Sequence, residues 1–105
     1  MTRWFHPEFQ TDLIDAARYC QGQRPALGAE FIDEAEAAVE EIMRAPERWP
    51  VRVGRVRRFL LNRFPCIIRY RISDSGDTVQ FLSLLHGAAI PATGLNGASE
   101  PKKGN

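Results

Sequence analysis

The sequence predicts a single α+β domain: an N-terminal strand, then an antiparallel helical hairpin that packs on one face of an arginine-rich antiparallel sheet. Two observations predict this fold class. Apolar residues recur at helical spacing in the first half of the chain, and the second half alternates β-branched and aromatic residues with polar ones. The length of 105 residues, 44% of them hydrophobic, suits one core and excludes a disordered or fibrous chain.

The first half of the chain predicts one strand and two helices. Residues 2–5 can form a strand, and Pro7 suits the first position of a helix, with His6 as its N-cap. An apolar stripe predicts that this helix covers about 7–21, and its members are Phe9, Leu13, Ala16, Ala17 and Cys20. A second helix begins near Pro25 and ends before the next proline. The short connection predicts an antiparallel pair of helices.

The second half predicts three strands, at about 53–61, 66–72 and 78–86, and the last two form a hairpin. Placing Ile72 opposite Thr78 fixes the register of that hairpin. One face is then mostly apolar and faces the helices, and it carries Cys66, Ile68, Tyr70, Ile72, Leu82 and Leu84. The opposite face carries Arg69, Arg71, Val79, Phe81 and Ser83. Both sides of the first strand hold apolar residues, so its orientation stays open.

Composition excludes several classes of protein. The longest nearly apolar stretch, 81–91, is too short for a bilayer, which takes about 20 apolar residues. The N-terminus reaches a proline and a glutamate before any apolar core of a signal peptide, so we expect a cytoplasmic protein without a membrane contact. We expect Cys20 and Cys66 to be reduced core residues. Because the histidines and cysteines lack metal-ligand spacing, we expect no metal and no other cofactor.

Charge is unevenly distributed along the chain. Residues 1–50 hold 5 Arg against 10 Asp and Glu, a balance of −5, and residues 51–105 hold 9 Lys and Arg against 3 acids, a balance of +6. Both lysines lie in residues 92–105, whose composition predicts a loose tail beyond a domain of residues 1–91. Every cation in the predicted domain is therefore an arginine.

Arginine is concentrated in the predicted sheet. Seven arginines lie within residues 52–71, interleaved with aromatic residues. Guanidinium groups bind phosphates and aromatic rings stack on bases, so the pattern is compatible with a nucleic-acid surface. Two other interpretations carry equal weight, namely the ordinary polar face of an antiparallel sheet and a docking surface for an acidic protein segment.

Several short segments follow one another in a recognisable order, among them FHPE at 5–8, PALGAEF at 25–31, PERWP at 46–50, VRRFLLNRFP at 56–65 and LHG at 85–87. In these segments and their order, the chain resembles the RelE/ParE superfamily of bacterial type II toxins over about residues 1–91. The resemblance implies a small α+β fold and a toxin that arrests growth. It also implies a cognate antitoxin that wraps an otherwise disordered segment around the toxin and forms a hetero-oligomer with it.

The resemblance further implies a division by target. RelE-like members are ribosome-dependent mRNA endonucleases with residues that move protons, whereas ParE-like members poison DNA gyrase by a protein contact. Arginine holds a phosphate but, with a pKa above about 12, does not act as a general base. The candidate proton carriers here are His86, Tyr70 and Glu47. Tyr70 lies on the predicted core face, a structural role is the simpler interpretation of His86, and the arginines that many relatives carry after Gly87 are missing.

We therefore interpret the chain as a ParE-like toxin. Its contacts, first to the antitoxin and then to DNA gyrase, are expected from six residues of the sheet: Arg57, Arg58, Arg63, Arg69, Arg71 and Phe81. One alternative is a RelE-like, metal-independent mRNA interferase on the ribosome, with His86 as the base and Arg58, Arg63 or Arg71 holding the phosphate. The other alternative is an inactive member that only binds its antitoxin.

Overall fold

The computed structural model describes residues 1–87, and these residues form two helices and five strands. In chain order they are β1 (Thr2–Phe5), α1 (Pro7–Gln23), α2 (Leu27–Arg44), β2 (Val51–Val53), β3 (Val56–Leu60), β4 (Cys66–Ile72) and β5 (Thr78–His86). The strands form one sheet in the order β1-β5-β4-β3-β2. This arrangement confirms the α+β class, but the sheet is mixed, because β1 runs parallel to β5. The predicted tail, 92–105, and the last four residues of the predicted domain lie outside the described residues.

The predicted helical hairpin is confirmed, with shifted ends. α1 begins at Pro7, and the His6 Nδ1 accepts the Glu8 N–H at 2.9 Å, so His6 does cap the helix. α2 begins at Leu27 and not at the preceding proline, because Ala26 adopts a left-handed conformation with φ of 72°. Within residues 1–87, neither helix combines the length and the apolar content that spanning a lipid bilayer requires.

The first turn of α2 lies close against α1. The Gln21 side-chain oxygen accepts the Gly28 N–H at 3.1 Å and so satisfies a donor that a helix start leaves without an intrahelical partner. A Cβ on Gly28 would lie 2.9 Å from the Ala17 carbonyl oxygen, closer than real Cβ atoms approach. A glycine at this position therefore allows the close approach of the two helices.

The single strand predicted over 53–61 is wrong in its bounds, because the chain folds there into the β2–β3 hairpin. Gly54 has a φ of +58°, a conformation that glycine adopts without the steric penalty of a Cβ, and it turns the chain between the two strands. β2 forms the edge of the sheet, and its Val51 and Val53 are exposed. A glycine inside an apparently continuous strand pattern marks this turn.

The core lies between the helices and one face of the sheet, called here the helix face. Its fully buried side chains include Phe31, Ile42, Cys66, Ile68, Tyr70, Val79 and Phe81. Cys20 and Cys66 are buried free thiols, as predicted, and burial raises the pKa of both. The buried Tyr70 hydroxyl donates to the Pro46 carbonyl at 2.7 Å, which satisfies a polar group inside the core.

The predicted register of the β4–β5 hairpin is wrong by one residue at the turn. Ile72 pairs with Val79, not with Thr78, because the Ser73 N–H donates to the Thr78 carbonyl and makes these two residues the first pair. A shift of one residue moves every side chain of a strand to the other face. Val79 and Phe81 are therefore fully buried on the helix face, and the predicted placement of Phe81 beside the arginines is wrong.

A β-bulge then shifts the register a second time. Tyr70 pairs with Phe81, whereas the preceding Arg69 pairs with Ser83, so Leu82 is an extra residue in β5. The Asp12 carboxylate of α1 accepts the Leu84 N–H at 3.1 Å just beyond the bulge. The bulge restores the predicted inward orientation of Leu84, which is buried.

We predict that Asp12→Ala lowers the free energy of unfolding by about 1–3 kcal/mol, because a partly buried amide loses its acceptor. Asp12→Asn keeps an oxygen that can accept this hydrogen bond and should lose less. Asp15→Ala, an exposed position of the same helix, is the matched control and should stay within about 0.5 kcal/mol of the parent. Urea unfolding of the three variants measures the difference, and an equal loss in D12A and D15A would contradict the role of Asp12.

Candidate functional site

Three of the predicted arginines lie together on the face of the sheet opposite the helices. Arg69 and Arg71 alternate with the buried Tyr70 in β4, and Arg58 of β3 pairs directly with Arg69. On the same side, β5 contributes Gln80 and Ser83 and β1 contributes Trp4, as the strand register shows. We call this surface the arginine face: Trp4, Arg58, Arg69, Arg71, Gln80 and Ser83.

Arg58 and Arg69 form a pair of like charges directly across two strands. In residues 1–87 neither forms an ion pair with a carboxylate, and Arg58 makes no hydrogen bond there. The Arg69 Nη1 donates only a long hydrogen bond, 3.4 Å, to the Ser83 Oγ. Partial burial, followed by the charges of Arg52 and Arg69, lowers the pKa of Arg58. Like charges directly opposite each other destabilise a sheet, and an anionic partner would relieve the repulsion.

Arg71 is also incompletely neutralised. Its Nη2 lies 3.5 Å from an Asp74 carboxylate oxygen, and the same exposed oxygen contacts Arg55. The Arg71 Nε is buried and has no hydrogen-bond partner among the described residues. One exposed carboxylate therefore serves two guanidinium groups, so the charge of Arg71 is only partly balanced.

Arg57 and Arg63 bind their own chain and lie elsewhere. Arg57 pairs with Tyr70, and its Nη1 donates to the carbonyl oxygens of Glu47 and Trp49, 3.2 and 2.5 Å away. Arg63 contacts Glu30 of α2 at 2.8 Å. Together with the buried Phe81, these residues are the predicted contact residues that the structure does not bring to the arginine face.

The two main candidates for proton transfer lie on the helix face. His86 pairs with Cys66 and packs against Tyr19 and Phe31 of the helices, with ring centroids 4.9 and 6.4 Å away. Burial lowers the pKa of His86. Tyr70 is fully buried, and burial raises the pKa of its hydroxyl. The sheet thus separates both side chains from Arg58, Arg69 and Arg71. The predicted combination of His86 with Arg58 or Arg71 is therefore not assembled, and Arg63, the third predicted phosphate-holding residue, forms an ion pair with Glu30 of α2.

Sequence reasoning did not place Trp4 beside the arginines. Its position follows from the parallel pairing of β1 with β5, in which Trp4 lies opposite Gln80 and Gln80 lies opposite Arg71. Successive strand residues face opposite sides, so Phe5 packs on the core and Trp4 is 45% exposed on the other side. Four residues of alternation do not show from the sequence which of the two faces the core.

A second surface lies on the helix side of the sheet, between α1, α2 and β1. Its floor is apolar and is formed by Phe5, Phe9, Leu13 and Val39. Exposed carboxylates of α2 line its rim: Asp33, Glu36 and Glu40. An ion pair of 2.5 Å between Arg3 and Glu40 crosses one end. We call this surface the helix cleft.

We predict that Arg58→Gln stabilises the fold by about 0.2–1 kcal/mol, because it removes the like-charge pair with Arg69. The gain should shrink in 0.5 M salt, which screens the repulsion. Arg57→Gln is the matched control and should destabilise the fold, because that side chain holds two carbonyl oxygens. Urea unfolding at low and high salt measures both effects. A loss of stability in R58Q at low salt would contradict the prediction.

We also predict a loss of stability on mild acidification that depends on His86. Its pKa is lowered in the folded state, so the unfolded chain takes up the proton more readily. The contribution of His86 is complete above its ordinary pKa of about 6.5 and is lost as the pH falls through the lowered folded value. Melting temperatures at pH 7.5 and 5.5 should therefore fall further in the parent than in H86Q. Equal falls would refute the prediction.

Comparison with known proteins identifies the fold and the family. A structure described as a chromosomal ParDE toxin–antitoxin system from P. aeruginosa matches with a TM-score of 0.71 and 18% identity, covering 80% of this chain and 92% of that one. No curated protein sequence matches. The family model described as the ParE toxin of the type II toxin–antitoxin system parDE matches residues 4–91. The chain therefore belongs to the ParE toxin family of type II toxin–antitoxin systems.

Proposed function

We propose that this toxin arrests bacterial growth by binding DNA gyrase through its arginine face. The main support is the separation of chemistry across the sheet: Arg58, Arg69 and Arg71 share one face, whereas His86 and Tyr70 lie on the other. Guanidinium groups stay protonated at any working pH and can hold an anionic group without moving a proton. Such a face is suited to binding an anionic surface of a macromolecule. Because gyrase acts on the chromosome, the cytoplasm is the proposed location.

A cognate antitoxin is the second proposed partner, and the helix cleft is a suitable surface for it. The apolar floor of Phe5, Phe9 and Leu13 fits the apolar side of an amphipathic segment, and the carboxylates of the rim favour a segment with basic side chains. A segment that is disordered alone can fold into such a cleft as it binds. The result would be a hetero-oligomer of toxin and antitoxin.

Gyrase inhibition tests the proposed function directly. We expect the purified chain to inhibit supercoiling by gyrase and its induction in a bacterial host to cause filamentation with a DNA-damage response. The double variant R58Q/R69Q should lose most of the inhibition, because it removes two charges from the arginine face. R18Q/R44Q, which removes two exposed helix charges, should keep it, and so should H86A.

Two other outcomes would contradict the proposal, and each would indicate a different function. Arrested translation with cleaved mRNA that disappears in H86A would indicate a RelE-like interferase. Unchanged growth and unchanged supercoiling, with an antitoxin still bound, would indicate an inactive member that only binds its antitoxin.

A further inference from the structure

The arginine face has two parallel rows of side chains that run across the strands. One row is Arg58, Arg69 and Ser83, on β3, β4 and β5. The other row is Arg71, Gln80 and Trp4, on β4, β5 and β1. Neighbouring strands lie about 4.8 Å apart, and the two rows are two residues, or roughly 6.7 Å, apart along β4. Positive charge is thus concentrated toward β3 and β4, and an exposed indole lies at the β1 edge.

The positive end of this surface suits a chain of single negative charges. Arg58 and Arg69 lack an ion pair within residues 1–87, and Arg52 adds positive charge near Arg58. The planar guanidinium fork matches the paired oxygens of a phosphodiester. Successive phosphates along a strand of nucleic acid would meet successive arginines here.

Trp4 makes the surface suited to an unpaired base. It is 45% exposed, although it is one of the largest apolar side chains of the chain. Its ring lies edge-on to the His6 ring, with the two ring centroids 5.6 Å apart. Aromatic side chains beside a basic groove bind single strands because every base has a face on which to stack. In a duplex the base faces are already covered, and an acidic peptide would use the arginines and leave Trp4 without a stacking partner.

We propose that the arginine face binds single-stranded nucleic acid, with phosphates on Arg58, Arg69 and Arg71 and a base on Trp4. This binding activity goes beyond the proposed contact with gyrase and is measured without gyrase. DNA and RNA share the phosphate and the base face, so separate oligonucleotides distinguish them.

Fluorescence anisotropy with labelled oligonucleotides tests the proposal on the full-length chain. We expect a twelve-nucleotide oligo-dT or oligo-U to bind, and a duplex of the same length to bind about tenfold more weakly, because it offers no free base face. R58Q/R69Q should weaken binding of the single strand about tenfold and should reduce the slope of log affinity against log salt by about 1.4, as expected for two lost phosphate contacts. R18Q/R44Q is the charge-matched control and should bind as the parent does.

Trp4 provides an independent measurement. Trp49 is the only other tryptophan, so W49F leaves Trp4 as the sole indole emitter, and a bound base should quench its fluorescence. W4A should weaken binding of the single strand about tenfold and leave the duplex nearly unchanged. Urea unfolding of R58Q/R69Q, measured alongside, separates a loss of binding from a loss of folding.

Several outcomes would overturn the proposal. The first is that neither oligonucleotide binds, and the second is that R58Q/R69Q and R18Q/R44Q lose equal affinity. The third is that the duplex binds as tightly as the single strand and leaves Trp4 fluorescence unquenched. The fourth is that low concentrations of polyglutamate displace the oligonucleotide. The last result would indicate an acidic protein partner. Oligonucleotide binding without gyrase inhibition would refute only the proposed function, and gyrase inhibition without oligonucleotide binding would refute only this inference.

Discussion

The extra residue in β5 determines which side chains this sheet can bring together. Before Leu82, Val79 and Phe81 face the helices, and after it Leu84 and His86 do so. In a regular strand the alternation would continue from Phe81, and His86 would lie on the arginine face. The Asp12 carboxylate holds the displaced backbone by accepting the Leu84 N–H. One helix side chain therefore helps to keep the histidine away from the guanidinium groups, and the proposed function depends on this separation.

The arginines of the sheet divide into two groups according to their neighbours. Arg57 and Arg63 bind their own chain. Arg57 donates to the Trp49 carbonyl in the connector after α2, and Arg63 forms an ion pair with Glu30 in the first turn of α2, so both side chains stabilise the fold. Arg58 and Arg69 oppose each other across two strands without a carboxylate ion pair in residues 1–87. Composition alone shows the density of arginine, but only the pairing partners show which guanidinium groups lack a carboxylate within residues 1–87.

Much of the fold could be predicted because helical periodicity is a strong local signal. The stripe from Phe9 to Cys20 gave α1 within two residues of its observed end, and the core position of Tyr70 followed from simple alternation. The errors arose where a turn or a bulge, and not local periodicity, determines the strand register. The turn at Ser73 and the bulge at Leu82 each change the register by one residue, and neither leaves a periodic signal. Phe81 was misplaced by the first of these shifts, while the second restored Leu84 to its predicted face.

The position of Trp4 also could not be predicted from local sequence. Four residues of β1 carry an alternation too short to choose a face, and the parallel pairing with β5 is a long-range event. Because of that pairing, β1 contributes to both surfaces: Arg3 and Phe5 line the helix cleft, whereas Trp4 belongs to the arginine face. β1 is also an edge of the sheet, so a chain seated in the cleft reaches the arginine face most directly across this strand. Under the proposed function, an antitoxin that crosses β1 to cover both surfaces would pass over Trp4. Neutralisation by the antitoxin would then depend on the length of the antitoxin segment that extends beyond the cleft, as well as on its affinity for the apolar floor.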